Sequence, residues 1–102
     1  MKSIRLSILL SVAASLQSTA AQFETPFRAT ASGTVVHVED PGYACPTIHD
    51  VDGDGKKDLV VGQFKEGKMK FYKNIGSKGK PSYAKGVWLS SGSKPAVIPG
   101  IW

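Results

Sequence analysis

The chain has 102 residues, of which 21% are charged, and a formal net charge of +5. This length allows one small domain and no more. Its single cysteine excludes an internal disulfide, the usual support of small exported domains, so bound metal, more chain or neighbouring subunits must supply stability. Apart from the adjacent Lys56 and Lys57, the lysines up to Lys94 are scattered singly, which indicates solvated strand faces rather than a nucleic-acid surface.

The N-terminus has the pattern of a signal peptide. Lys2 and Arg5 precede an apolar stretch over residues 6–16, and small residues follow up to Ala21. The stretch is too short to span a bilayer, which takes about 20 apolar residues. We therefore predict cleavage after Ala21, with Ala20 as the alternative, and export to the periplasm, the cell surface or the medium. Cleavage removes both cations and leaves no membrane span.

The remaining chain reads as all-β with antiparallel strands. Gly and Pro recur, and the apolar residues alternate or cluster in short runs, so no segment has a helical pattern. Residues 22–32 form a loose lead-in to the domain. We expect strands over residues 33–39, 45–49, 58–64, 68–74 and 83–89, and a further element that begins near the C-terminus.

The turns and side-chain patterns between these strands are specific. Residues 40–43 ("DPGY") and 65–67 ("KEG") have turn chemistry, the second in a hairpin. Residues 58–64 are apolar on both faces, as in a strand that is covered on both sides. In the next strand the alternation places Lys68 and Lys70 outward. We expect Cys45 to be a small buried hydrophobe.

The most informative segment is residues 48–64, "IHDVDGDGKKDLVVGQF". Four carboxylates fall at positions 1, 3, 5 and 9 of a loop, and the backbone carbonyl of position 7 can also point inward. Ca²⁺ prefers six to eight oxygen ligands, and crowded carboxylates repel one another without a cation. The predicted metal ligands are Asp50, Asp52, Asp54, the backbone carbonyl of Lys56, and Asp58.

Two other interpretations of the loop are weaker. An EF-hand needs a bidentate Glu at position 12, where Val61 stands, and it needs flanking helices. An Asp/Gly turn that binds no metal has little need of four carboxylates at these spacings. Ca²⁺ is therefore the expected cofactor.

Residues 50–83 resemble the FG-GAP/VCBS repeat, the blade unit of integrin-α-type β-propellers. The matching parts are the loop D-x-D-G-D-G-x-x-D-L and the later Gly67, Lys68, Tyr72, Asn74 and Gly76. The resemblance implies that residues 33–102 form about one propeller blade, truncated at the C-terminus, whose loop holds Ca²⁺ and whose partners include neighbouring blades. The chain departs from the family where Gln63 and Phe64 replace Ala and Pro.

The expected function is an exported calcium-binding repeat module with a scaffold or binding role. Its ligand would be a protein or a carbohydrate. The alternative is a fragment of a secreted propeller enzyme, a lyase or hydrolase, whose active site lies outside this chain. No catalytic residues are predicted here, because His37 and His49 fit ordinary strand positions.

Overall fold

The structure is a computed structural model that describes residues 22–100. The predicted signal peptide and the last two residues of the predicted repeat lie outside this range. Within it the protein is all-β and antiparallel, with one short 3₁₀ turn at Lys65–Gly67, so the predicted fold class is confirmed at this level. In the part of the chain that is described, no helix has the length and hydrophobicity to cross a membrane.

Eight strands follow one another within residues 22–100. They are β1 (Thr30–Ala31), β2 (Thr34–Val35), β3 (Cys45–His49), β4 (Asp58–Gly62), β5 (Met69–Tyr72), β6 (Val87–Trp88), β7 (Ser90–Ser91) and β8 (Lys94–Pro95). Strands β3, β4, β5 and β6 form one antiparallel sheet in chain order, while β1–β2 and β7–β8 are separate two-residue ladders.

The four-stranded sheet is built from successive hairpins. β3 pairs with β4 from Cys45 opposite Gly62 to His49 opposite Asp58, and Leu59 of β4 lies opposite Tyr72 of β5. The β4–β5 connection turns through Glu66 and Gly67, which both have left-handed backbone angles. It is the predicted hairpin. The loop of four aspartates thus connects two strands that pair directly.

The core lies on one face of this sheet. Leu59, Val61 and Tyr72 are buried there together with Ala31 of β1. The chain that follows β2 adds partly buried Val36 and Val38, and Tyr83 packs against the same cluster. Residues 30–39 therefore cover the sheet instead of extending it.

This covering role explains why two predicted strands are much shorter than expected. The sequence predicts one strand over residues 33–39, but only Thr34–Val35 is a strand. Gly33, at a φ of 77°, belongs to the β1–β2 turn. Residues 83–89 form a strand only at Val87–Trp88. Tyr83 instead makes isolated bridges to Ala31 and Asn74. In both segments, residues that pack against the core cluster lie outside the strand pairing: Val36 and Val38 in the first and Tyr83 in the second.

Strand β4 is buried as its apolar pattern predicts, whereas β3 is not. Residues 58–61 are all buried. In contrast, every residue of β3 is exposed, including Cys45, so the expectation of a buried cysteine is wrong. The reason is that β3 is an edge strand of the sheet, with β4 as its neighbour there.

The alternation in β5 does not separate a solvent face from a core face. Lys68 and Lys70 were expected to point outward, but both residues are half-buried. Their ammonium groups lie 4.6 Å and 4.5 Å from the centre of the Trp88 ring, and Lys68 also pairs with Glu39 at 3.1 Å. Long lysine side chains can cover apolar surface while keeping the charged end near partners.

Candidate metal centre

The aspartate loop, residues 50–58, spans the end of β3 and the start of β4. Gly53 and Gly55 have φ values of 75° and 85°, and a Cβ atom at either position would meet no atom within 4 Å. The glycines are therefore needed for their backbone conformation and not for space. They let the chain curl back on itself within a few residues.

Asp50 closes the loop through its carboxylate. One of its oxygens accepts the backbone N–H of Gly53 and the other accepts that of Gly55, each at 2.8 Å. Asp52 and Asp54 each accept a backbone N–H from two residues further along, at 3.3 Å and 2.9 Å. The first three aspartates are thus turned toward the loop backbone.

Asp58 anchors the far end of the loop. It is fully buried, and its two oxygens accept the backbone N–H groups of Val51 at 3.0 Å and of Asn74 at 2.8 Å. The first of these bonds joins the end of the loop to its beginning. The second joins it to the chain that follows β5, so one carboxylate connects three segments.

The structure brings three of the four predicted carboxylates together. Asp50, Asp52 and Asp58 each offer an oxygen, and these oxygens lie within 4.8 Å of one another. A set of oxygen donors suits a hard cation such as Ca²⁺. Each carboxylate has about four acceptor positions, so the hydrogen bonds described above leave positions for a cation. Three carboxylates arranged in this way can hold a metal ion.

The other two predicted ligands are placed differently. Asp54 lies outside the group of three oxygens, and its carboxylate is occupied by Lys73 and by the N–H of Lys56. Lys56 is exposed.

Lys73 is the functional residue that sequence reasoning missed. Its ammonium group donates to Asp52 and, at 2.9 Å, to Asp54. The carboxylates of Asp52 and Asp54 in turn raise the pKa of Lys73. The Lys73 ammonium and the N–H of Lys56 lower the pKa of Asp54. In this structure a lysine thus supplies positive charge to the outer part of the loop.

The β4–β5 register contains the signal that could have identified Lys73. Leu59 lies opposite Tyr72, so the next antiparallel pair places Lys73 opposite Asp58. A lysine at that position is close enough to reach the loop.

Asn74, directly after Lys73, connects the loop to the following hairpin. Its side-chain amide N–H donates to the carbonyl of Lys57 at 2.9 Å, and its side-chain oxygen accepts the N–H groups of Gly76 at 2.9 Å and Ser82 at 3.2 Å. Asn74 itself is buried. These bonds fix the position of the loop relative to residues 74–83.

The two histidines do not join the carboxylates. His37 bonds the carbonyl of Val35 at 3.2 Å, and His49 is exposed on β3. Among residues 22–100, the three aspartates are the one group of acidic, histidine or cysteine side chains close enough to hold a metal ion. Comparison with known protein families, curated proteins and solved structures gives no significant match to the chain.

Proposed function

We propose that the chain is an exported calcium-binding module in which the cation has a structural role. The observation that supports this proposal is the convergence of Asp50, Asp52 and Asp58 within 4.8 Å at the junction of two paired strands. A bound Ca²⁺ supplies charge that offsets the repulsion between these carboxylates. The loop residues hold it between the end of β3 and the start of β4.

The four-stranded sheet is consistent with a propeller blade. β3, β4, β5 and β6 form an antiparallel meander in chain order, which is the arrangement of strands in such a blade. The module would act as a scaffold or binding unit beside neighbouring blades. Export is proposed from the sequence of residues 1–21, and N-terminal sequencing of the exported product should give Gln22 as its first residue.

Calcium should stabilise the protein by binding to the folded state. At a free Ca²⁺ concentration of about 100 times Kd, the gain is about 2.7 kcal/mol, which raises the melting temperature of a domain of this size by roughly 10–20 °C. The measurement is a thermal melt in EGTA and then in excess Ca²⁺. Asp52→Ala should abolish the rise, and Cys45→Ser, at an exposed position of β3, should keep it. A melt that Ca²⁺ leaves unchanged, with no heat by calorimetry, contradicts the site.

Lys73 provides a second test, because its ammonium group occupies Asp52 and Asp54. Removing this competing cation with Lys73→Gln should tighten Ca²⁺ binding by roughly two- to tenfold, as expected for two solvent-exposed ion pairs. Lys94→Gln removes the same charge from β8 and is the matched control. If both variants bind Ca²⁺ with the parent Kd, the cation does not use Asp52 and Asp54.

A further inference from the structure

A second potential binding site lies beside the aspartate loop. A cleft of about 530 Å³ separates residues 55–57 of the loop from the hairpin of residues 74–83. Its lining includes three lysines and an apolar surface, namely Lys56, Lys57, Lys78, Pro81 and Tyr83. The volume is within the range of about 300–1,000 Å³ that is typical of small-ligand sites.

The cleft has a positive rim without compensating acids. No Asp or Glu is among its lining residues. In the described part of the chain the ion pairs of the acidic residues involve Lys68 and Lys73, so Lys56, Lys57 and Lys78 have no carboxylate partner. An anionic ligand would therefore meet three ammonium groups that are not paired with a carboxylate.

The walls of the cleft are held in place before any ligand binds. Asn74 bonds to the carbonyl of Lys57 on one wall and to the N–H groups of Gly76 and Ser82 on the other. At the tip of the hairpin the N–H of Lys80 donates to the carbonyl of Ser77 at 3.0 Å. A site that is already ordered costs less to fill than one that must be ordered on binding.

We propose that this cleft binds an acidic oligosaccharide. Tyr83 is half-buried and, with Pro81, gives an apolar surface that suits the C–H face of a sugar ring. Lysine ammonium groups bind carboxylates and sulfates as point charges. An acidic peptide that binds by strand addition fits less well, because both walls are turns and offer no free strand edge for its main-chain hydrogen bonds.

The proposal does not depend on calcium, because the lysines and Asn74 form the cleft in the structure as it stands. Its test is therefore run both in EGTA and in Ca²⁺, and binding is expected in both. If Ca²⁺ fails to bind the loop but the saccharide binds, only the proposed metal function is wrong.

The experiment is a calorimetric titration of the full chain with an oligogalacturonate, which carries one carboxylate per sugar, and with a neutral maltooligosaccharide of equal length. We expect binding of the acidic sugar only. Lys57→Gln and Lys78→Gln should each weaken it by roughly two- to fivefold, the size of an exposed ion pair, and the double variant by roughly the product. Lys94→Gln on β8 is the control of equal charge and should leave Kd unchanged.

Four outcomes would overturn the proposal. One is no binding of the acidic sugar, and a second is equal binding of the neutral sugar. The third is an equal loss of affinity in Lys94→Gln, which would show a general charge effect. Tighter binding of a poly-glutamate peptide of the same charge would assign the cleft to acidic peptides instead. Circular-dichroism spectra that match the parent establish that the variants are folded.

Discussion

Replacing Asp58 with asparagine changes one atom at the point where three segments meet. The parent carboxylate accepts the N–H of Val51 with one oxygen and the N–H of Asn74 with the other, and it is fully buried. Asparagine keeps the shape but turns one of these acceptors into an NH₂ donor. One of the two backbone N–H groups then faces another donor and loses its partner.

The magnitude follows from that single lost acceptor. A buried donor without a partner costs about 1–3 kcal/mol. A domain of this size loses about 4–8 °C in melting temperature per kcal/mol, so Asp58→Asn should melt roughly 4–24 °C below the parent. Asp58→Ala leaves both donors without an acceptor and should cost about 2–6 kcal/mol. That is a large part of the about 4–12 kcal/mol expected for a domain of this size.

The assay is a thermal melt followed by circular dichroism, first in EGTA and then in excess Ca²⁺. In EGTA no cation is bound to the parent or to the variant, and a control variant that also removes one loop carboxylate separates the hydrogen-bonding role from the change in loop charge. Asp52→Asn is the control, since Asp52 is exposed and its partners are one loop N–H at 3.3 Å and the Lys73 ammonium, neither of which is a backbone group outside the loop. It should melt close to the parent in EGTA. If Asp58→Asn also melts with the parent there, Asp58 does not anchor the loop and the reasoning is refuted.

Two further predictions concern charge and packing. The side-chain amide of Gln63 and the ammonium of Lys68 lower the pKa of Glu39 in the folded protein. The Glu39 carboxylate therefore stabilises the fold above its unfolded-state pKa, and this stabilisation is lost as the pH falls through its folded-state pKa. Glu39→Gln should therefore flatten the fall in urea midpoint from about pH 6 to about pH 3, and an unchanged slope contradicts this. A Cβ at Gly86 would lie 2.4 Å from the Tyr72 ring, so Gly86→Ala should cost about 1–3 kcal/mol by urea unfolding. Gly62→Ala, whose nearest contact would be 3.7 Å, should stay near the parent, and equal losses would refute the steric explanation.

The local parts of the fold were predictable from the sequence. Alternating and β-branched residues locate β3, β4 and β5, and the turn chemistry of residues 65–67 locates the hairpin between β4 and β5. The spacing of the aspartates also predicts a loop whose carboxylates approach one another, as Asp50, Asp52 and Asp58 do. All these features depend on neighbours within a few residues, which a pattern can record.

The remaining features depend on contacts between distant segments. The β-branched run of residues 33–39 has the propensity of a strand, but most of it covers the core cluster instead, where Val36 and Val38 are partly buried. Cys45 is exposed because β3 lies at the edge of the sheet, and a sequence gives no direct sign of edge position. Lys73 forms an ion pair with Asp54, which is 19 residues away, and this pair depends on the β4–β5 register.

The β3–β6 sheet is held by contacts between residues close in the chain, whereas residues 30–39, which cover it, contact residues much further along. This difference bears on the order of folding. Within the sheet, Gly62 pairs with Met69, seven residues further on. The bond between Glu39 and Gln63 connects the covering segment to the sheet across 24 residues. Closing a short loop costs less chain entropy than closing a long one. The hairpins around β4 can therefore assemble first, and residues 30–39 dock onto a sheet that already exists. During synthesis, which runs from the N-terminus, residues 30–39 emerge first and must wait for the strands that give them a surface.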